Sequence, residues 1–318
     1  MAQAPVRIGT RGSALAVTQT TTVADALSEL GGFDVELVRI RTEGDINRAA
    51  LSQIGGTGVF VAALRDALLR GDCDVAVHSL KDLPTGAADG LAIGAIPARV
   101  DVRDALCARD GLTLASLPEG ARVGTGSPRR AAQLRAARPD LDVVDIRGNV
   151  DTRLGRVAGL VEGIPGDLDA VVLAAAGLAR LDRLDMVSEF LDPSVMLPAP
   201  GQGALAVECR SADAAEGPLS RALAAYDNNA ARMTVTAERA LLNRLEAGCT
   251  APIGALAALT EARLHLEAVV CSDDGSQVLR RSAATAVLDE DGARALGVRL
   301  AEDLLAAGAA SLTDLAVS

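Results

Sequence analysis

Three stretches of this 318-residue sequence place arginine where a short apolar run gives way to a helical period. In Gly124-Thr125-Gly126-Ser127-Pro128-Arg129-Arg130, Ser127 is a good N-cap and Pro128 suits the first helical position. Arg129 and Arg130 then fall in the first turn, where unpaired N–H groups already make the helix end positive. Cations there make sense if an anion sits at the helix start, held by backbone donors and guanidinium forks; the other reading is a pair of solvated arginines. The motif lacks the lysine and spacing of a P-loop, so carboxylates fit as well as phosphates. Thr10-Arg11-Gly12-Ser13 repeats the order of strand, Arg, Gly, N-cap and helix, and Arg147-Gly148-Asn149-Val150-Asp151-Thr152-Arg153 again puts Arg at a strand-to-helix junction. On an α/β framework the three converge on one cleft.

Two further stretches carry groups that can do chemistry. His78-Ser79-Leu80-Lys81-Asp82-Leu83-Pro84 follows an apolar run, and polar groups at the carboxyl end of a buried strand are placed to act. Asp82 suits a general acid or base, and Lys81 a carboxylate partner or a nucleophile. A turn closed by Asp and Pro is the plainer alternative, and His78 taken alone reads as structural. Glu246-Ala247-Gly248-Cys249-Thr250-Ala251-Pro252 sets a cysteine on a loop after a helix. Most lone cysteines are inert and buried, but a loop thiolate is also an accessible nucleophile.

The elements that must position these residues follow the βαβ pattern of an α/β fold. Strands are expected at 6–10, 35–42, 73–78, 91–96, 122–125, 141–146 and 170–174. Helices are expected at 13–30, at 59–70, and from Ser127 and Asn149 onward. Residues 43–58 read as a polar, Gly-rich mobile loop. Two passages repeat: Arg7-Ile8-Gly9-Thr10-Arg11-Gly12-Ser13 resembles Arg122-Val123-Gly124-Thr125-Gly126-Ser127, and Asp72-Cys73-Asp74 resembles Asp167-Leu168-Asp169. Two matches in the same order predict two similar α/β lobes. The last third differs, with a long helix over 228–245, alternating strands at 255–259, 264–271 and 278–286, and an amphipathic helix over 288–307, which reads as a smaller α/β domain.

Composition narrows the function. Hydrophobic residues make up 49% and charged residues 23%, an ordinary globular mix. With three Phe, one Tyr and no Trp, the core must be aliphatic. A net charge of −11 argues against a general nucleic-acid binder. From Arg99 to Arg156, however, eleven arginines face eight acids, which suggests a confined site for an anionic small molecule. Of the 31 basic residues one is lysine, Lys81. Five scattered cysteines and two histidines make a zinc site improbable. No run of about 18 apolar residues occurs, and Met1-Ala2-Gln3-Ala4-Pro5-Val6-Arg7 lacks the apolar core of a signal peptide. A reduced, cytoplasmic protein is expected.

In chain order these motifs resemble the porphobilinogen deaminase (hydroxymethylbilane synthase) family. The likeness takes in the stretches quoted above together with Leu173-Ala174-Ala175-Ala176-Gly177-Leu178 and Leu197-Pro198-Ala199-Pro200-Gly201-Gln202-Gly203. It implies three domains: two periplasmic-binding-protein-like α/β lobes, 1–98 with 203–224 and 99–202, and a smaller α/β C-terminal domain, 225–318, with a strand near 204–210 returning to the first lobe. It implies a transferase of tetrapyrrole biosynthesis with a dipyrromethane held by Cys249 through a thioether. Four porphobilinogen molecules join head to tail, each losing ammonia, before hydrolysis releases linear hydroxymethylbilane. Asp82 matches the catalytic carboxylate, which stabilises the cationic azafulvene left by amine loss. Lys81, Ser79, Thr125, Ser127, Arg129, Arg130 and Arg147 match cofactor-binding positions. Arg11, Ser13, Arg147, Arg153 and Arg180 match positions that bind substrate carboxylates, and Arg99 lies near the hinge. No metal, nucleic acid or membrane partner is implied, and a monomer is expected.

One departure stands out. Family members often carry lysine at the positions of Gln53 and Thr57, so weaker closure of this loop is expected, with Phe60 left to pack over the rings. Two competing readings are a non-catalytic carboxylate binder on the same lobes and an Arg-rich nucleic-acid module; the second fails on charge and scarce aromatics.

Overall fold

The computed structural model describes residues 4–40, 58–245, 251–313 and 315. Two compact units are formed, Met1–Val100 with Ala204–Arg232 and Asp101–Gly203 with Met233–Ser318. Thirteen strands occur among the described residues: β1 Val6–Thr10, β2 Val35–Arg39, β3 Val75–Ser79, β4 Leu91–Ala95, β5 Asp104–Ala108, β6 Arg122–Gly124, β7 Asp142–Val144, β8 Ala170–Ala174, β9 Glu189–Phe190, β10 Leu205–Arg210, β11 Ile253–Leu259, β12 Leu264–Cys271 and β13 Val278–Thr285.

The first unit holds a five-stranded sheet in the order β2-β1-β3-β10-β4. β1 runs parallel to β2 and β3, while β10 is antiparallel to both β3 and β4. The second unit holds a sheet of the same design, β7-β6-β8-β5-β9, with β6 parallel to β7 and β8 and with β5 antiparallel to β8 and β9. The repeated motifs therefore mark repeated topology: β1 and β6 are the second strands of their sheets, and β3 and β8 the middle ones. Each sheet borrows its fourth strand from across the chain, β10 from after the second series and β5 from just before it. The strand expected near 204–210 is β10. β5 and β9 were not expected from the sequence.

Helices cover the first sheet on both faces. Ala14–Gly31 packs Val23 and Leu27 against Ile8, Val75 and Val207. Gly58–Arg70 packs Leu64 and Leu68 against Ala76 on the opposite face. Each fully buried leucine contributes about 2 kcal/mol. The core is aliphatic, and Phe33 is the one buried aromatic side chain among the described residues. These are the two similar α/β units that the repeat predicts.

A third sheet, β11-β12-β13, is an antiparallel meander. Leu266 and Val270 on it pack against Leu241 and against Leu296, Leu300 and Leu304 of the helix Glu290–Ala306. The turn between β12 and β13 lies on the helix Pro128–Ala137: Arg135 donates to the Asp273 carbonyl at 2.8 Å. Gly275 is required in this turn. Its φ is +73°, and a Cβ there would meet the Ala132 carbonyl oxygen at 2.5 Å.

Candidate functional site

In the first unit the expected residues gather where parallel strands end. Ser13 caps the helix that follows β1, its hydroxyl accepting from the Ala16 N–H at 3.3 Å, and Arg11 stands between strand and cap. β3 ends at Ser79, whose hydroxyl accepts from the Gln19 amide at 3.1 Å. The chain then makes a single 3-10 turn, Leu80–Asp82, closed by the Leu83 N–H on the Leu80 carbonyl at 3.1 Å. Leu80 is buried, Lys81 half-buried and Asp82 exposed. Burying the first residue of so short a turn directs the third outward, and this presents the Asp82 carboxylate at the strand end.

The second unit repeats the placement. Thr125 is buried beyond β6, and its hydroxyl accepts from the Ser127 N–H at 3.2 Å. Ser127 caps Pro128–Ala137 as expected. Asn149 caps the short helix Val150–Leu154, and Arg153 on it donates to the Gly148 carbonyl at 2.9 Å. Arg147 is exposed, 3.8 Å from Asp145. Arg180 ends the helix that follows β8 and donates to the Gly203 carbonyl at 3.0 Å. Arg99 lies just before the chain leaves the first unit.

Arg129 and Arg130 are not solvated, and the chain itself supplies an anion for them. Asp104, fully buried at the start of β5, accepts from Arg129 Nη2 at 2.8 Å and from Arg130 Nη2 at 2.7 Å. Arg129 also reaches the Leu197 carbonyl, and Arg130 the Val172 carbonyl. Gln202 adds a third donor to Asp104 at 2.9 Å. Burial alone would raise the Asp104 pKa; the charges of Arg129 and Arg130 overcome it and hold the carboxyl well below the usual range. Burial lowers the Arg129 pKa, with Asp104 opposing and Arg130 adding to the fall. Arg153 is lowered by burial and then by the charge of Arg130. Sequence reasoning missed Asp104, because an acid opening an unrecognised strand looks like any surface aspartate.

Two guanidinium groups share one buried carboxylate, which leaves one positive charge over, with Arg153 close by. The buried Nε of Arg129 has no hydrogen-bond partner among the described residues. Such a cluster favours carboxylate-bearing ligands. The described cysteines supply no nucleophile. Cys73, Cys107, Cys209 and Cys271 are buried, and burial pushes their thiols up to about 11 for Cys73, Cys209 and Cys271 and to about 12 for Cys107. None of the four is a thiolate near neutral pH. Cys249 lies outside the described residues, as do Gln53 and Thr57.

Fold and site together define an α/β protein with two sheets of one design and, in the second unit, a buried arginine cluster of the kind that suits carboxylates. Comparison with known proteins narrows this further. Residues 6–216 match the family model described as porphobilinogen deaminase, dipyromethane cofactor binding domain, and residues 232–306 match that of the porphobilinogen deaminase C-terminal domain. The porphobilinogen deaminase of Leifsonia xyli is 58% identical over 98% of this chain and 95% of its own. That of Cutibacterium acnes is 57% identical over 98% of both, and that of Thermobifida fusca 55% identical over 97% and 96%. A periplasmic substrate-binding protein from Coxiella burnetii superposes with a TM-score of 0.40 at 15% identity, covering 70% of this chain and 91% of its own. The chain belongs to the porphobilinogen deaminase family, and is therefore a transferase of tetrapyrrole biosynthesis.

Proposed function

We propose a division of labour for the family's reaction, the head-to-tail condensation of porphobilinogen with loss of ammonia and release of hydroxymethylbilane. Cys249 holds the dipyrromethane through a thioether, and the bound group supplies the ring carbon on which the chain starts. The residues present suit so carboxylate-rich a group, given the surplus positive charge at Arg129, Arg130 and Arg153. Arg147, Arg153, Arg180 and Arg11 take acetate and propionate groups, with Ser13, Ser79, Thr125, Ser127 and Lys81 as further donors. Arg129 and Arg130 are committed to Asp104, and act through their field more than as forks on a ligand.

Asp82 is the catalytic carboxylate. Exposed at the end of β3, it stabilises the positive charge left on the substrate as ammonia departs, protonates the leaving amine and later takes up the ring proton. The observation that carries this reading is the placement of Asp82. It is an exposed acid beyond a buried strand, on a turn whose first residue is locked inside. We further propose a cytoplasmic monomer of three domains, 1–98 with 203–224, 99–202 and 225–318. Among the described residues, no helix is long and apolar enough to cross a membrane.

Ammonia release and formation of an Ehrlich-positive product from porphobilinogen test the reaction. Asp82→Asn is expected to keep its melting temperature and lose turnover by about 10²–10⁴-fold. Unimpaired turnover would move the role to another residue. Light scattering of the purified protein checks the monomer.

A further inference from the structure

Beneath the Asp82 turn lies a buried cluster of charge that the reaction as described does not use. Glu208, on β10, is 2% exposed. Its carboxylate accepts from Arg65 of the helix Gly58–Arg70, from Nε at 3.0 Å and from Nη2 at 2.9 Å. Its other oxygen lies 3.1 Å from Nε2 of His78 on β3. The register explains the meeting: Ala206 pairs with His78 and Glu208 with Ala76, so His78 and Glu208 are diagonal neighbours on one face of the sheet. Burial would raise the Glu208 pKa, and its contacts with His78 and Arg65 hold it below the usual value instead. Desolvating such a group is costly, and an apolar cluster of the same shape is often as stable or more so.

The second lobe shows that the fold does not need it. β5 and β8 pair as β10 and β3 do, with Asp104 opposite Ala174 as Leu205 is opposite Ser79. Counting along these registers, Leu173 occupies the place of His78, and Cys107 that of Glu208. Both are buried and apolar, at 4% and 0% exposed. One molecule thus builds the same framework position twice, with charge only in the lobe that carries Asp82. The charged version also sits next to the turn. His78 immediately precedes Ser79, and the Leu80 N–H donates to the Ala204 carbonyl at 3.0 Å, one residue before β10 begins. The His78–Glu208 contact is a close approach and not a formed hydrogen bond, since His78 Nε2 has no hydrogen-bond partner among the described residues. The strand whose Glu208 lies against His78 continues from the residue that anchors the turn.

We propose that Glu208, acting through His78 and braced by Arg65, is a positioning residue for the catalytic carboxylate: it fixes the carboxyl end of β3 so that the Leu80–Asp82 turn presents Asp82 in one orientation. The proposal rests on the reading of Asp82 given above. Small errors in placing a catalytic group lower the rate of the chemical step more than substrate binding.

The test is an apolar transplant, Arg65→Leu with His78→Leu and Glu208→Met, which imitates the second lobe at roughly constant volume, made in the cofactor-loaded enzyme. The expected result is a folded protein whose kcat for porphobilinogen falls about tenfold or more, with KM changed less than about threefold. His78→Gln, which keeps a polar nitrogen facing Glu208, should recover much of the activity that His78→Leu loses. Wild-type kcat in the folded transplant would overturn the proposal. Should the transplant not fold, the isosteric Glu208→Gln decides: lowered kcat at unchanged KM supports the proposal and unchanged kcat overturns it. Failure of every variant to fold also overturns it, since a structural role is then the whole role. Asp82→Asn is the parallel control. If it retains turnover, the reading of Asp82 fails, whatever the cluster does.

Discussion

Asp74 stands in the first sheet where Asp169 stands in the second. Asp74 accepts from the main-chain N–H of Arg7 at 3.0 Å, and Asp169 from that of Arg122 at 2.7 Å. In return the N–H of Asp74 donates to the Arg7 carbonyl, and that of Asp169 to the Arg122 carbonyl. Each carboxylate is also held by the arginine that closes or follows the antiparallel strand, Arg210 for Asp74 at 2.9 Å and Arg109 for Asp169 at 2.7 Å. The same latch thus ties three segments together at the amino end of each lobe's central strands.

The latches share this frame, but the Arg7 side chain also donates to Asp74 from Nε and Nη2 while that of Arg122 turns to Asp142. Asp74→Asn and Asp169→Asn should each destabilise the protein by about 1–3 kcal/mol, Asp74→Asn by the larger amount. Burial would raise both carboxyl pKa values, but the hydrogen bonds and charges of the arginines hold them below the usual one. A group whose folded pKa is depressed adds stability above its unfolded value, near pH 4, and loses it as pH falls through the folded value. Urea unfolding at pH 7 and pH 3 should therefore show a smaller gap between mutant and parent at the lower pH. A gap that does not narrow would mean that charge is not what the latch uses.

Asp104→Asn should be more severe. It leaves Arg129 and Arg130 buried together without their shared carboxylate, and breaking a buried pair in this way costs about 3–5 kcal/mol. The melting temperature should fall by more than for either latch variant. Asp104→Glu, which keeps the charge, should recover part of the loss. A mild Asp104→Asn would show that water or a ligand compensates the two guanidinium groups.

The latch and the Asp104 cluster mark what could and could not be read in advance. The Asp72–Asp74 and Asp167–Asp169 repeats were visible because the latch needs the same residue types at the same step before a strand. β1, β8 and β12 were legible to the residue because apolar runs with clear ends leave little freedom. β5 and β9 were not: β5 carries a buried aspartate, β9 spans two residues, and both are completed by partners far away in the chain. The Ser79–Asp82 turn was recognisable as a place for chemistry. The charges beneath it were not, because His78 and Glu208 meet only through the register of β3 with a strand more than a hundred residues distant, and Arg65 joins them from a helix.

Thiol chemistry tests the role proposed for Cys249. The raised thiols of Cys73, Cys107, Cys209 and Cys271 should resist alkylation at pH 7.5 in the folded protein and react only on unfolding. Intact mass of the purified protein should exceed the sequence mass by one dipyrromethane, and Cys249→Ala should remove the excess while leaving the fold in place. An unmodified protein with full activity would overturn the role assigned to Cys249.

Lys81 is the chain's one lysine among 31 basic residues, and it occupies the middle of the turn between buried Leu80 and exposed Asp82. A general bias toward arginine would account for the other thirty without accounting for this exception. An ammonium is a compact, strongly hydrated point charge with three rotatable donors, while a guanidinium is a wide planar fork. In a three-residue turn that also carries Asp82, the fork has a different reach. Lys81→Arg conserves charge and should leave the melting temperature unchanged, yet we expect kcat/KM for porphobilinogen to fall about tenfold or more. The cofactor content by intact mass should be recorded alongside, so that a defect in assembling the primer is told apart from a defect in elongating it. Wild-type turnover with full cofactor content would make the placement of the lone lysine a matter of composition, and the arginines would then be sufficient for every carboxylate the enzyme handles.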